Sequence, residues 1–103
     1  MEYGENIFSL SKKFPKEELY NLSSQIRRAV DSIALNISED SIMQSKPEFI
    51  KFLGYASRSL AEVVTCLYKA KNRKYITEEE FEKNYNDAFN LMNMIVGYRN
   101  KLL

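Results

Sequence analysis

The sequence predicts an all-α protein, an antiparallel up-and-down four-helix bundle with a short first helix. Three observations carry this prediction. Apolar residues recur at three- and four-residue intervals through four segments. Helix-start chemistry marks the breaks between the later segments. With only 3 Gly and 2 Pro in 103 residues, little of the chain is suited to turns. No segment alternates with the period of two that a strand requires. A chain of this length is one domain, residues 1–103, and buries about two-thirds of the surface its unfolded form exposes.

The first helix is read from Tyr3, Ile7, Leu10 and Phe14. The second starts in "FPKEE", where Pro15 has a φ suited to the first helical position and Glu17 and Glu18 fill the first turn. Its stripe is Leu19, Leu22, Ile26, Val30, Ile33 and Ile37, over about residues 16–40. The third starts in "SKPE": Ser45 caps, Pro47 forfeits no helical hydrogen bond, and Glu48 completes a capping box. Phe49, Leu53, Ala56, Leu60, Val63, Leu67 and Ala70 carry it over about 47–72. The fourth starts in "TEEE", with Thr77 and Glu80 as the capping box and Glu78 and Glu79 at the positive end of the helix dipole. Phe81, Tyr85, Ala88, Met92 and Val96, with Phe89 and Ile95 alongside, carry it over about 78–102.

The lengths do not match. Three helices reach about 36 Å each, whereas Tyr3 to Phe14 spans about 18 Å at 1.5 Å per residue. Half of the bundle therefore lacks a fourth wall, and the apolar strip it exposes predicts a homo-oligomer. A second stripe on the last helix, Leu91, Met94, Tyr98 and Leu102, is the expected interface. The alternative is a wide apolar face that is wholly internal.

Composition removes several kinds of chemistry. Histidine is absent and Cys66 is the only cysteine, so disulfides, common zinc sites and imidazole catalysis are excluded. Cys66 reads as a small core hydrophobe. No cofactor, metal or catalytic residue is expected. No apolar run approaches a membrane span, and the start "MEYGENIF" lacks signal-peptide features, which makes a cytoplasmic protein the expectation. The net charge of +1 makes the whole chain a poor polyanion binder, so a nucleic-acid site must come from local clustering or assembly.

The second helix also carries a polar stripe of Gln25, Arg28, Ser32, Asn36 and Glu39, about 120° from its apolar one. The third carries Glu48, Tyr55, Ser59, Glu62 and Cys66. On adjacent antiparallel helices these stripes share a boundary, with Arg28 expected to pair with Glu62 or Glu39 and Asn36 to meet Ser59. The catalytic reading makes Glu39 and Glu62 an acid–base or metal pair. Without histidine, and with an arginine close by, the stripes read instead as internal wiring that fixes register.

The stretches "FPKEELYNLSSQIRRAVDSIALNISED" and "EFIKFLGYASRSLAEVVTCLYKA" resemble the bacterial four-helix bundle proteins known as 23S ribosomal-RNA intervening-sequence proteins. The match runs through Phe14, Pro15, Glu17, Glu18, Tyr20, Gln25, Arg27, Arg28, Ser32, Asn36 and Glu39 to Phe49, Phe52, Leu53, Ser59 and Glu62, and covers residues 14 to about 75. The resemblance implies a bundle protomer in a ring-like homopentamer and brings no catalytic residues. It also implies partners such as RNA, DNA or a reverse transcriptase, since relatives include accessory variability proteins of diversity-generating retroelements. Two departures stand out: Asp40 replaces the glycine that usually ends the second helix, and Arg58 stands where glycine is usual.

Two functions compete. The first is nucleic-acid binding through Lys12, Lys13, Lys16, Lys69, Lys71, Arg73 and Lys74, which the topology brings to one end as a basic rim. The ordinary reading of the same residues is a solvated surface and cations favoured at a helix C-terminus. The run Glu78 to Glu82 lies close to this rim and opposes binding. The second function is a protein–protein adaptor docking through Leu35 and the loop residues Ile42 and Met43.

Overall fold

The computed structural model describes residues 2–39 and 46–102, except for the side chains of Ser38 and Glu39. The elements are α1 (Glu2–Ser11), a 3-10 turn (Lys16–Glu18), α2 (Leu22–Glu39), α3 (Lys46–Asn72) and α4 (Glu78–Leu102). They form an all-α four-helix bundle with no strand among the described residues. α2 packs on α3, α3 on α4 and α1 on α2. The 27 residues of α3 rise about 40 Å, which sets the long dimension of a molecule measuring 42 × 24 × 18 Å. α1, with 10 residues, rises only about 15 Å. It covers the end of the bundle where α2 begins, α3 ends and α4 begins, here the covered end; the other is the open end.

The core follows the apolar stripes. Ile7, Leu22, Ile26, Val30, Ile33, Leu60, Val63 and Leu67 are fully buried, joined by Leu10, Phe14, Leu53, Ala56, Ala70, Phe81, Ala88 and Ile95. Cys66 is fully buried among them, and burial pushes its thiol up to about 11. At neutral pH it is a protonated core residue rather than a nucleophile.

Three local expectations are corrected. α2 starts at Leu22 and not near residue 16. Pro15 leads into a 3-10 turn instead, where the Asn21 side chain donates to Glu18 Oε1 at 2.9 Å. That local bond competes with helix propagation, and Leu19, expected in the core stripe, is exposed. In α4, Val96 is exposed and Ile95 is buried. Each four-residue step overshoots a full turn by about 40°, so the series 88, 92, 96 drifts off the core. Phe81, Asn84, Ala88 and Ile95, with Leu91 and Met92 half-buried, keep the seven-residue repeat of a packed seam instead.

The helix ends follow capping rules. The Thr77 amide donates to Glu80 Oε1 at 2.9 Å and the Glu80 amide to Thr77 Oγ1 at 3.1 Å, a reciprocal capping box. At the end of α3 the Tyr75 amide reaches Ala70 O and the Lys74 amide reaches Lys71 O, both at 2.9 Å, a Schellman pattern. Lys74 occupies its left-handed position with φ 62°, where glycine is usual. The expected cap at Ser45 lies outside the described residues, as do Ile42 and Met43.

Candidate functional site

The topology brings the seven candidate cations of the basic rim to the covered end, but it brings carboxylates with them. Lys13 pairs with Glu80, Lys71 with Glu78 at 3.5 Å, and Arg73 with Glu18 at 2.6 Å. Glu18 is the innermost of these, with its side chain only 8% exposed. The Asn21 amide, and then the Tyr75 hydroxyl and the Arg73 guanidinium, hold its carboxyl below the ordinary value of 4.5. Lys13 and the Thr77 amide do the same for Glu80. Burial and the hydrogen bond to Glu18 raise the Tyr75 hydroxyl in turn. Three of the seven rim cations are thus held in ion pairs that link the turn after α1, the 3-10 turn, the end of α3 and the start of α4. Lys12, Lys16, Lys69 and Lys74 are exposed and have no ion pair among the described residues. Lys12 lies 5.1 Å from the Phe8 ring centroid. Tyr20, just after the 3-10 turn, is 93% exposed.

A second clasp at this end was not legible as a pair in the sequence. Arg27 Nε donates to Ser11 Oγ at 2.7 Å, Ser11 Oγ donates to Phe8 O at 2.6 Å, and the guanidinium covers the Phe8 ring at 4.7 Å. It ties α1 to α2. A buried serine closing an otherwise apolar face was the available signal.

The polar stripes meet only in part. Ser59 Oγ donates to Ser32 Oγ at 2.9 Å, and Asn36 Nδ2 donates to Ser32 O at 2.8 Å and to Ser32 Oγ at 3.1 Å. Asn36 thus reaches Ser59 through Ser32. The expected Arg28–Glu62 pair does not form: both side chains are exposed, and Arg28 Nε instead faces its own helix at Ser24 O, 3.4 Å away. In water such a pair gains little over full hydration. Gln25 is half-buried, and the Glu39 side chain lies outside the described set. Among the described residues no cluster of three or more His, Cys, Asp or Glu could hold a metal, and no helix is long and apolar enough to cross a membrane.

At the open end, α2, α3 and α4 enclose a groove of about 320 Å³ lined by Ile37, Phe49, Leu53, Leu91, Met94, Ile95 and Tyr98. This is the place a longer α1 would fill. Met94 and Tyr98 are exposed at 62% and 59%, and Tyr98 stacks on Phe49 with centroids 6.2 Å apart. Of the four residues expected at an interface, Leu91, Met94 and Tyr98 line the groove and Leu102 packs half-buried against the core.

On the outer side of α3 and α4 lies a cleft of about 500 Å³ whose walls include Lys51, Arg58 and Arg99. These cations are absent from the rim identified in the sequence, because they come from the middle of one helix and the end of another. The seven-residue spacing of Lys51 and Arg58 was the only sequence signal.

Residues 1–97 match the family of 23S rRNA-intervening sequence proteins. Among solved structures, the crystal structure of a protein of unknown function from the S23 ribosomal protein family of Bacteroides thetaiotaomicron VPI-5482 is similar. It shares 28% identity over 95% of this chain and 92% of that one, with a TM-score of 0.87. Among curated proteins, none matches significantly. With the family match spanning nearly the whole chain and the bundle shared with that relative, the protein belongs to the 23S rRNA-intervening sequence protein family.

Proposed function

We propose that the protein is a non-enzymatic, self-associating bundle that binds structured RNA or DNA through cations repeated around the oligomer. The observation that carries this reading is the three-walled groove at the open end. Over a floor of buried Leu53 and Ile95, it leaves exposed Met94 and Tyr98 and the open sides of half-buried Ile37, Phe49 and Leu91 in water in a monomer. A second copy burying that apolar surface gains about 25 cal/mol per Å². A further apolar hollow, with Val64, Tyr85, Phe89 and Met92, lies elsewhere on α3 and α4. Two unlike apolar surfaces on one protomer suit a head-to-tail ring, in keeping with the pentamer that the family resemblance implies.

Assembly also answers the charge problem. A chain of net charge +1 holds a polyanion weakly, whereas several copies present Lys12, Lys16, Lys69 and Lys74 to one strand at once and gain avidity. The family's description, naming intervening sequences of 23S rRNA, supports RNA as the first ligand to try.

The test compares the parent with Met94→Glu/Tyr98→Glu by light scattering and by titration of a labelled structured RNA. The parent should be oligomeric and bind with steep salt dependence; the variant should be monomeric and bind weakly at best. A monomeric parent at micromolar concentration overturns the assembly. An oligomeric parent that ignores RNA and DNA at low salt turns the groove and its surroundings into a protein-docking adaptor.

A further inference from the structure

We infer that the outer cleft between α3 and α4 is a phosphate-binding site for a nucleic-acid strand, with Lys51, Arg58 and Arg99 as its ligands. The inference rests on the nucleic-acid reading above and moves the main contact away from the rim. Lys51 and Arg58 come from α3 and Arg99 from α4, and all three line one cleft of about 500 Å³. No carboxylate lines it, and none of the three forms an ion pair among the described residues. At the covered end, by contrast, Lys13, Lys71 and Arg73 are each met by a carboxylate. Three like charges held together without compensation repel one another, and an anion between them relieves that repulsion.

The Tyr55 ring gathers two of these cations. Lys51 Nζ lies 5.9 Å and Arg58 Cζ 5.8 Å from its centroid. The ring face attracts both and limits their freedom before a ligand arrives. Ser57 contributes no donor, because its hydroxyl is spent on Leu53 O at 3.1 Å. The donors are therefore the ammonium and the two guanidinium groups, whose planar forks suit phosphate oxygens.

Gly54 is an independent pointer. It lies inside α3 and lines the cleft, and a Cβ there would meet nothing within 4 Å. Packing inside the chain does not call for glycine, although glycine weakens a helix interior relative to alanine. A bare backbone on the cleft floor instead lets a ligand approach closely. The seven-residue step from Lys51 to Arg58 rises about 10 Å along α3, roughly three times the 3.4 Å of helix axis per phosphate of one strand of a duplex. That length suits successive phosphates of a strand better than a single small anion.

The decisive experiment titrates a labelled structured RNA with four proteins at several salt concentrations. They are the parent, Lys51→Gln/Arg58→Gln/Arg99→Gln, Gly54→Glu, and the rim variant Lys12→Gln/Lys16→Gln/Lys69→Gln/Lys74→Gln. The triple cleft variant should bind at least about tenfold more weakly and lower the slope of log K against log salt by about 2–3, the value for three lost phosphate contacts. Gly54→Glu improves helix propensity and puts a carboxylate in the cleft, so it should keep the fold by circular dichroism yet bind as poorly as the triple variant. The rim variant should change the slope less. Loss confined to the rim variant overturns the cleft and leaves nucleic-acid binding standing, whereas a parent that binds no RNA overturns both. A cleft variant that changes oligomeric mass but not the salt slope overturns the cleft as well, and identifies its occupant as a second copy.

Discussion

At the covered end, α1 packs on α2, and Ile7, Leu10 and Phe14 join Leu22, Ile26 and Leu67 in one buried core. Around that core, Glu18, Glu78 and Glu80 neutralise Arg73, Lys71 and Lys13. At the open end the same helices continue with no fourth partner. Ile37, Phe49, Leu91 and Met92 are only half-buried, Met94 and Tyr98 are exposed, and Lys51, Arg58 and Arg99 have no carboxylate against them in their cleft. One end buries its apolar core and pairs Lys13, Lys71 and Arg73 within the chain, leaving only solvated surface lysines, while the other leaves an apolar groove and a cation cleft open to contacts from outside. The contrast separates a region that maintains the fold from a region available for contacts.

The largest expected effect tests that division directly. Ile26→Ala removes a side chain from the fully buried core and should destabilise the chain by about 2–5 kcal/mol at any protein concentration. Leu91→Ala, in the half-buried groove wall, should cost the isolated protomer only about 1 kcal/mol. The rest of its effect should appear as weaker self-association. Denaturant melts over a range of protein concentrations measure both. Equal, concentration-independent losses would mean that the open end is covered within the protomer.

Acid should act on the covered end. Glu18 and Glu80 both have carboxyls held below the ordinary 4.5. Lowered carboxylate values give stability that is fully present above the unfolded value and is lost as pH falls through the folded one. The parent's melting temperature should therefore drop as pH falls below about 4.5, the ordinary carboxylate value. Glu18→Gln/Glu80→Gln should start lower and show a shallower acid slope. If parent and variant fall in parallel, the ion pairs do not couple to folding.

How much of this the sequence disclosed depended on whether a feature was local. The core face of α3 was legible because Leu53, Ala56, Leu60, Val63, Leu67 and Ala70 all face one side, and all six are buried. The short first helix and the missing wall followed from length alone. The end of α4 was misread, since four-residue steps and a seven-residue repeat diverge only after several turns. Arg28 and Glu62 were placed on facing stripes, but the spacing could not show that both point to water. Glu18 read as a first-turn residue of the second helix; its partner Arg73 lies 55 positions away, and no local pattern encodes that meeting. The cleft cations were missed for the same reason, because Arg99 joins Lys51 and Arg58 only through the packing of α3 on α4.

A smaller effect tests the wiring between α2 and α3. Ser32→Ala and Ser59→Ala each remove a part-buried hydrogen bond and should each cost about 1 kcal/mol. Because they share one bond, the double variant should cost less than the sum. Arg28→Ala touches only an exposed residue and should stay within about 0.5 kcal/mol of the parent. A large loss at Arg28 would restore the ion network that the stripes suggested.

The smallest effect is a gain, and it lies at the covered end. Lys74 has φ 62°, a left-handed conformation that costs an L-residue about 1–2 kcal/mol and costs glycine almost nothing. Glycine also loses more backbone freedom on folding, by about 0.5–1 kcal/mol. The difference predicts that Lys74→Gly stabilises by about 0.5–1 kcal/mol. Lys74→Gln keeps the strain while removing the charge and should leave stability unchanged. The same pair of variants separates the two roles of the position, since each removes a rim cation and only one relieves the backbone. If both weaken RNA binding equally while only the glycine variant melts higher, the lysine is held in an unfavourable conformation at a place where its charge is used. If neither changes binding, the rim is the solvated surface its ion pairs suggest, and the open end carries the contacts.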